Sequence, residues 1–260
     1  MAIKLKNRID NYVNISDYQI MARLPIIICI NGRSFCKVTS LLDKPFCQKL
    51  SDSMLSTMLK LCIEIEGSIF AYQYNDEIVI LARNDQNIDT NPWLNNKIQK
   101  ICSLTSSIAT QHFNNITSSL INLMGDAFFY SQVFTTPNIT EVINAMIYKQ
   151  QQNFHISIQL ACYYELLRKY DKNTIKEMLT DLSIDEKIDL LNQECGINFN
   201  EYPTSFRRGS ACYKIPKIVD GIIKNKWIIN SELPIFAKDQ LFLGNICKNG
   251  VDLFRGDNIS

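Results

Sequence analysis

Histidine is scarce in this chain, and paired cysteines are missing. His112 and His155 are the two histidines in 260 residues, and the nine cysteines, at 29, 36, 47, 62, 102, 162, 195, 212 and 247, contain no C-x-x-C. A structural zinc site needs four such ligands at close spacing, so none is expected. The cysteines read instead as small apolar core residues of a reducing compartment. No stretch approaches the roughly 20 apolar residues that span a bilayer, and the opening "MAIKLKNRIDNYVNISDYQ" has no uninterrupted apolar run of the secretory kind. An excess of either charge is also lacking, with 27 Lys+Arg against 26 Asp+Glu. Any electrostatic footprint for a nucleic acid must therefore be local. A soluble, cytoplasmic protein with no membrane partner is the expectation.

Apolar mass is plentiful. At 46% hydrophobic residues the chain can bury a full core, as one large domain or as a domain with a substantial appendage. There is no low-complexity linker and no repeat. "PIIICI" reads as a buried strand, and "FCQKLSDSMLSTMLKLCIEIEG" places Leu50, Met54, Met58, Leu61 and Ile65 at helical spacing, with a stop at Gly67. "SIFAYQY" and "EIVILAR" are strand-like runs joined at Asn75-Asp76. A helix over "WLNNKIQKICSLTSSIATQHF" and a strand at "AFFYSQVFTT" complete an α+β order of ferredoxin-like or polymerase-palm type. From Glu141 to Tyr170 the pattern is helical, and "NTIKEML" and "SIDEKIDLLNQECG" add two short helices. Ser183 with Glu186 forms a capping box on the second, and Gly196 suits its end. "ACYKIPKIV", Asp220-Gly221 and "IIKNKWII" signal a hairpin. The expected division is residues 1–140 as a palm-like domain, and 141–260 as a helical appendage with a C-terminal β-hairpin.

Two places carry possible chemistry. Asn31-Gly32 reads either as a type I′ turn or as a tight loop in which glycine lets the backbone approach a phosphate, with Arg33 and Lys44 adding charge. Asp76-Glu77 reads either as a plain turn or as the carboxylate corner of a palm that transfers nucleotides. Spacing leaves both pairs of readings open.

Five segments in order, "MARLPIIICINGRSF", "LLDKPFCQKL", "FAYQYNDEIVIL", "NKIQKICSLTSSIAT" and "GINFNEYPTSFRRGS", resemble the tRNA-His guanylyltransferase and guanylyltransferase-like family of 3′-to-5′ RNA polymerases. The resemblance runs from about Arg8 to Gly244 and is nearest the bacterial-type, tRNA-repair branch. It implies a ferredoxin-like palm holding nucleotide and metal in residues 1–140, a helical fingers-like part and C-terminal hairpin facing the tRNA in 141–260, a pair of Mg2+ ions, ATP or GTP as substrates, tRNA as partner and a homotetramer, or a hetero-tetramer with an active relative. DNA is not an expected partner.

Carried over residue by residue, the family's metal positions fall on Asn31, Gly32 and Asp76, and its catalytic carboxylates on Asp76 and Glu77. Gly32, Arg33, Ser34, Phe35, Lys44, Asn75 and Lys100 fall on nucleotide-binding positions. Lys149, Gln150, Arg207, Arg208 and Ser210 fall on tRNA-binding ones. The chain departs from the pattern at several points. Asn31 stands where the family has Asp, so the metal site is expected to be weakened, since an amide oxygen is a poor substitute for a carboxylate towards Mg2+. "FYSQ" replaces a Phe-Asp-small-Arg motif at Tyr130 and Gln132. "YKQQQ" replaces Trp-Arg-Gln-x-Asp, with Gln152 in the acid's place, and Ile156 stands where Asn is usual, beside His155. The reading is a tRNA 5′-end nucleotidyltransferase with weakened catalysis. The alternatives are an inactive paralogue that binds tRNA or nucleotide beside an active relative and, less favoured by the RNA-facing segment, a cyclase-like palm.

Overall fold

The structure is a computed structural model and describes residues 4–86, 89–219 and 222–250. Helix α1, Leu5–Ile15, precedes strand β1, Ile26–Gly32, and a four-residue turn of helix, α2, Phe35–Val38. Helix α3, Gln48–Glu64, leads to β2, Ser68–Tyr74, and β3, Glu77–Ala82. Then come α4, Ile98–Thr117, and β4, Phe129–Thr135. This is the palm order expected from the sequence.

One helix begins later than its apolar pattern suggests. Trp93–Asn96 is a separate 3-10 turn, because Leu94 and Asn95 have φ of 51° and 54°. Asn96 is buried there and bonds Asn84 and the carbonyls of Ile20 and Met21. Those tertiary bonds outweigh the helical continuation.

The second half opens with a single 28-residue helix, α5, Ile139–Leu166, followed by α6, Lys172–Leu179, and α7, Ile184–Cys195. The Ser183–Glu186 capping box is present on α7, and Gly196 ends it in the left-handed region at φ 67°. A short helix α8, Thr204–Arg208, leads into β5, Ser210–Val219, and β6, Ile222–Asn230. The proposed Asp220-Gly221 turn lies outside the described residues. Helix α9, Gln240–Asn249, follows the hairpin, and the sequence reading did not anticipate it.

All strands pair antiparallel in one six-stranded sheet, ordered β4-β1-β3-β2-β5-β6. The hairpin from the second half thus continues the sheet of the first half, through the β2–β5 pairing. β1 is apolar from Ile26 to Ile30 because both faces are covered there. Ile26, Ile28 and Ile30 pack against Met54, Met58 and Leu61 of α3 and Phe113 of α4. Ile27 and Cys29 pack in the opposite layer with Val142 and Met146 of α5 and Leu243 of α9. A third cluster joins the C-terminal half of α5 to α6, α7 and α8.

Candidate catalytic corner

The end of β1 lies at the middle of the sheet, flanked on both sides. Asn31 is opposite Glu77 of β3 and Tyr130 of β4. Beyond it, the Gly32 N–H donates to the Asp76 carbonyl at 3.0 Å and the Arg33 N–H to the Phe128 carbonyl at 2.7 Å. The chain then turns through Ser34, at φ 52°, into α2. The type I′ hairpin is therefore excluded: the neighbours of β1 come from elsewhere in the chain, and a tight loop follows it. Gly32 is required by packing. A Cβ there would lie 2.3 Å from the Phe35 ring, which is buried against Phe113 and Phe129 at centroid distances of 5.4 and 5.6 Å. Phe35 thus supports the loop from below. Arg33 and Ser34 are exposed.

Strand alternation turns Asn31 and Glu77 to the α5 side of the sheet, the side of Cys29 and Val79. Lys149 on α5 reaches down and donates to Glu77 Oε1 at 2.6 Å. Sequence reasoning assigned Lys149 to tRNA, yet its ammonium is committed to the corner. Burial pushes the Cys29 thiol up to about 11, opposed by Lys149 and reinforced by Glu77. Asp76 sits at the tip of the β2–β3 turn, made possible by Asn75 at φ 49°. The Asn75 Nδ2 donates to Asp76 Oδ1 at 3.1 Å. Burial, together with the nearby Glu77, pushes the Asp76 carboxyl up to about 6.

Lys44 is near the corner's other wall. It donates to Thr39 Oγ1 at 3.2 Å and lies 5.7 Å from the Tyr164 ring centroid. Burial lowers its pKa, an effect opposed by Cys47 and Cys36. A cleft beside it is lined by Phe46, Cys47, Tyr74, Asn75, Ser205 and Phe206, joining the hairpin tip to α8. Lys100 is not part of this group. It is exposed in the first turn of α4, where Ile101 packs beside Ile26 and Ala82, at the end of β1 remote from Asn31.

Two other expected contacts are internal. Gln150 is 5% exposed; its amide donates to the Arg208 and Pro234 carbonyls at 3.3 and 3.0 Å and accepts from the Phe236 N–H at 2.7 Å. Ser210 is 1% exposed and donates to Ser231 Oγ at 3.1 Å. Neither side chain reaches solvent to meet RNA. Arg207 and Arg208 are half-buried at the end of α8, with one donor each spent on the Tyr202 and Leu233 carbonyls, which leaves the remaining guanidinium donors of each fork.

Sequence reasoning missed the residues that hold α8 in place. The Tyr72 hydroxyl donates to the Arg208 carbonyl at 2.8 Å and accepts from Asn153 Nδ2 at 2.6 Å. Gly209, at φ +76°, lets the chain pass within 2.6 Å, as measured from an added Cβ, of the Tyr72 ring. The signal was present: Gln150, Asn153 and Ser157 continue the buried stripe of Val142 and Met146 along α5, so polar side chains occupy the phase of a core.

No group of three or more His, Cys, Asp or Glu side chains that could hold a metal occurs among the described residues, and no helix among them is long and apolar enough to cross a membrane. A model of the tRNAHis guanylyltransferase (Thg1) family matches residues 7–154. tRNA(His) guanylyltransferase 2 of Arabidopsis thaliana is 27% identical over 205 residues, 76% of this chain and 37% of that protein. The chain thus spans little more than a third of that relative's length. A bacterial tRNA(His) guanylyltransferase-like protein solved in complex with ATP matches with a TM-score of 0.82 at 26% identity, over 94% of this chain and 99% of that one. A complex of such a protein with GTP matches at 0.75 and 25%, with the same coverage.

Proposed function

The chain belongs to the tRNAHis guanylyltransferase family, and from that premise we propose that it adds a nucleotide to the 5′ end of a tRNA, using ATP or GTP, at the corner between Asn31 and Asp76. The observation that carries this reading is the convergence of Asn31, Gly32, Asp76 and Glu77 where β1 ends and β3 begins in the middle of the sheet. Arg33, Ser34 and Lys44 would bind phosphate oxygens around the loop, while Asn75 and the adjoining cleft receive the rest of the nucleotide. Arg207 and Arg208 face the RNA. A soluble protein working in the cytoplasm, in a tetramer of like or mixed subunits, is part of the same proposal.

The donor set fits one Mg2+ better than a pair. Asp76 supplies a carboxylate, Asn31 an amide oxygen and Gly32 a carbonyl, while Glu77 is held by Lys149. Mg2+ shared between one carboxylate and a triphosphate is a common arrangement; it would neutralise phosphate charge and activate the attacking oxygen. The neutral Asn31 and the occupied Glu77 favour a second reading, a subunit that binds tRNA and nucleotide with little transfer of its own.

Purified protein, 5′-truncated tRNA, Mg2+ and all four NTPs separate the two. Extension that disappears in Asp76→Ala supports the transferase. Absence of extension with retained tRNA binding supports the binding subunit, and extension gained by Asn31→Asp then places the defect at that amide.

A further inference from the structure

The sheet has two edges, β4 and β6, and they are built differently. β6 carries Lys224 and Lys226, and lysine on an outer strand opposes pairing with another sheet. β4, "FYSQVFT", has neither a charge nor a proline. Its Tyr130 and Phe134 are 50% and 43% exposed, and Gln132 between them is exposed as well. The acid and the arginine of the family pattern are absent from positions 130 and 132, so the unguarded edge is a feature of this chain.

The backbone of β4 is open on the same side. The Arg33 N–H donates to the Phe128 carbonyl at 2.7 Å, and the Thr136 N–H to the Pro25 carbonyl at 3.2 Å. Both bonds fit the register of β1 with β4, and hydrogen-bonded pairs in an antiparallel ladder recur at every second residue. Tyr130, Gln132 and Phe134 therefore turn their N–H and C=O groups to β1, while Phe129, Ser131, Val133 and Thr135 turn theirs outward. Thr110 Oγ1 accepts from the Phe129 N–H at 3.1 Å. Beyond Ser131, Val133 and Thr135 no further strand follows among the described residues. The side chains of Ser131 and Val133 are engaged on the α4 side, Ser131 with Thr105 and Ser106 at 2.8 Å and Val133 with the core under α3 and α4. Tyr130, Gln132 and Phe134 project from the other face, that of Asn31.

We infer that β4 pairs antiparallel with β4 of a second copy of this chain, about a two-fold axis at Gln132. In that register the outward groups of Ser131 meet those of Val133 of the partner subunit. Tyr130 lies opposite Phe134 of the partner subunit, and the reverse contact repeats it, because the two aromatics are equally spaced about Gln132. Directly opposed aromatics are favourable cross-strand pairs, and a neutral strand that meets itself opposes no like charges. This symmetry favours a second copy over a foreign peptide, and an isologous contact closes at two chains. Tyr130 is directly opposite Asn31, so the contact brings Phe134 of the partner subunit to the rim of the corner. The inference concerns assembly and does not depend on nucleotide transfer.

Sedimentation velocity of the full chain, with hydrogen exchange of the β4 amides, tests it. Gln132→Lys sets two ammonium groups against each other at the axis and should halve the mass of the assembly, with the Tm of the single chain retained. Gln132→Glu should do the same. A mixture of the two variants should regain the wild-type mass, which a merely damaged strand would not. Gln132→Asn and Lys226→Glu, the latter on the other edge, should leave the mass unchanged. In the wild type the Ser131 and Val133 amides should be protected at high protein concentration and exchange faster on dilution. A wild type with the mass of one chain, a Gln132→Lys protein with the wild-type mass, or β4 amides that exchange alike at all concentrations overturns the inference. Failure of the mixture to recover mass overturns the two-fold at Gln132. None of these outcomes touches the reading of the corner.

Discussion

Asn31 and Glu77 stand directly opposite each other on β1 and β3, and the one carboxylate of the pair is held by the Lys149 ammonium at 2.6 Å. The centre of the sheet thus presents a neutral amide beside an internally neutralised acid. Asp76 is left as the carboxylate able to meet a cation there.

Lys149→Met should move cation affinity and stability in opposite directions. It removes a charged hydrogen bond between side chains only 24% and 20% exposed, and loss of such a bond costs about 1.5 to 3 kcal/mol. It also releases Glu77 next to Asp76. Urea denaturation should show the loss, and Mn2+ titration a tighter site; weaker or unchanged Mn2+ binding would contradict the charge balance described for the corner.

Cation binding should weaken as pH falls through about 6. The Asp76 carboxyl is raised from 3.8 to about 6, chiefly by burial. Between those values the folded protein holds a proton that the unfolded chain has lost, so this group's contribution to stability falls as pH rises across the window. Above about 6 the carboxylate is ionised and free for a cation; below it, protons compete. Mn2+ affinity measured across this range should decline on acidification in the wild type and be flat and weak in Asp76→Asn. A parallel decline in both would assign the effect to another group.

Tyr72→Phe should weaken RNA binding without removing any residue that faces RNA. Its hydroxyl joins the Arg208 carbonyl to the buried Asn153, and leaving such a partner unsatisfied costs about 1 to 3 kcal/mol. Gly209→Ala should be the more damaging of the two, because its Cβ would come within 2.7 Å of the Gln73 carbonyl at a φ of +76°. Thermal unfolding and tRNA anisotropy together check the order; equal tRNA affinity in all three proteins would remove Tyr72 from the support of α8.

Much of the fold was legible because its signals are local. The unbroken apolar run of β1, the four-and-three spacing of Met54, Met58 and Leu61, and the capping box of α7 each depend on neighbours within a turn or a strand. The kink at Leu94 was not legible, because its cause is Asn96 bonding residues some 75 positions away. The positions of Lys100 and Gln150 were not legible for the same reason. One lies at the far end of the sheet and the other inside the core, and a residue's type and spacing do not say which end or which depth.

By itself the sequence determined most of the elements, the family and the chemical types at the corner, including the amide at position 31, since these are properties of residues and their near neighbours. Tertiary structure alone decided that Lys149 neutralises Glu77 and that Gln150 and Ser210 face inward. Those facts depend on strand register and on where a long helix crosses the sheet, and both are set by contacts between segments far apart in the chain.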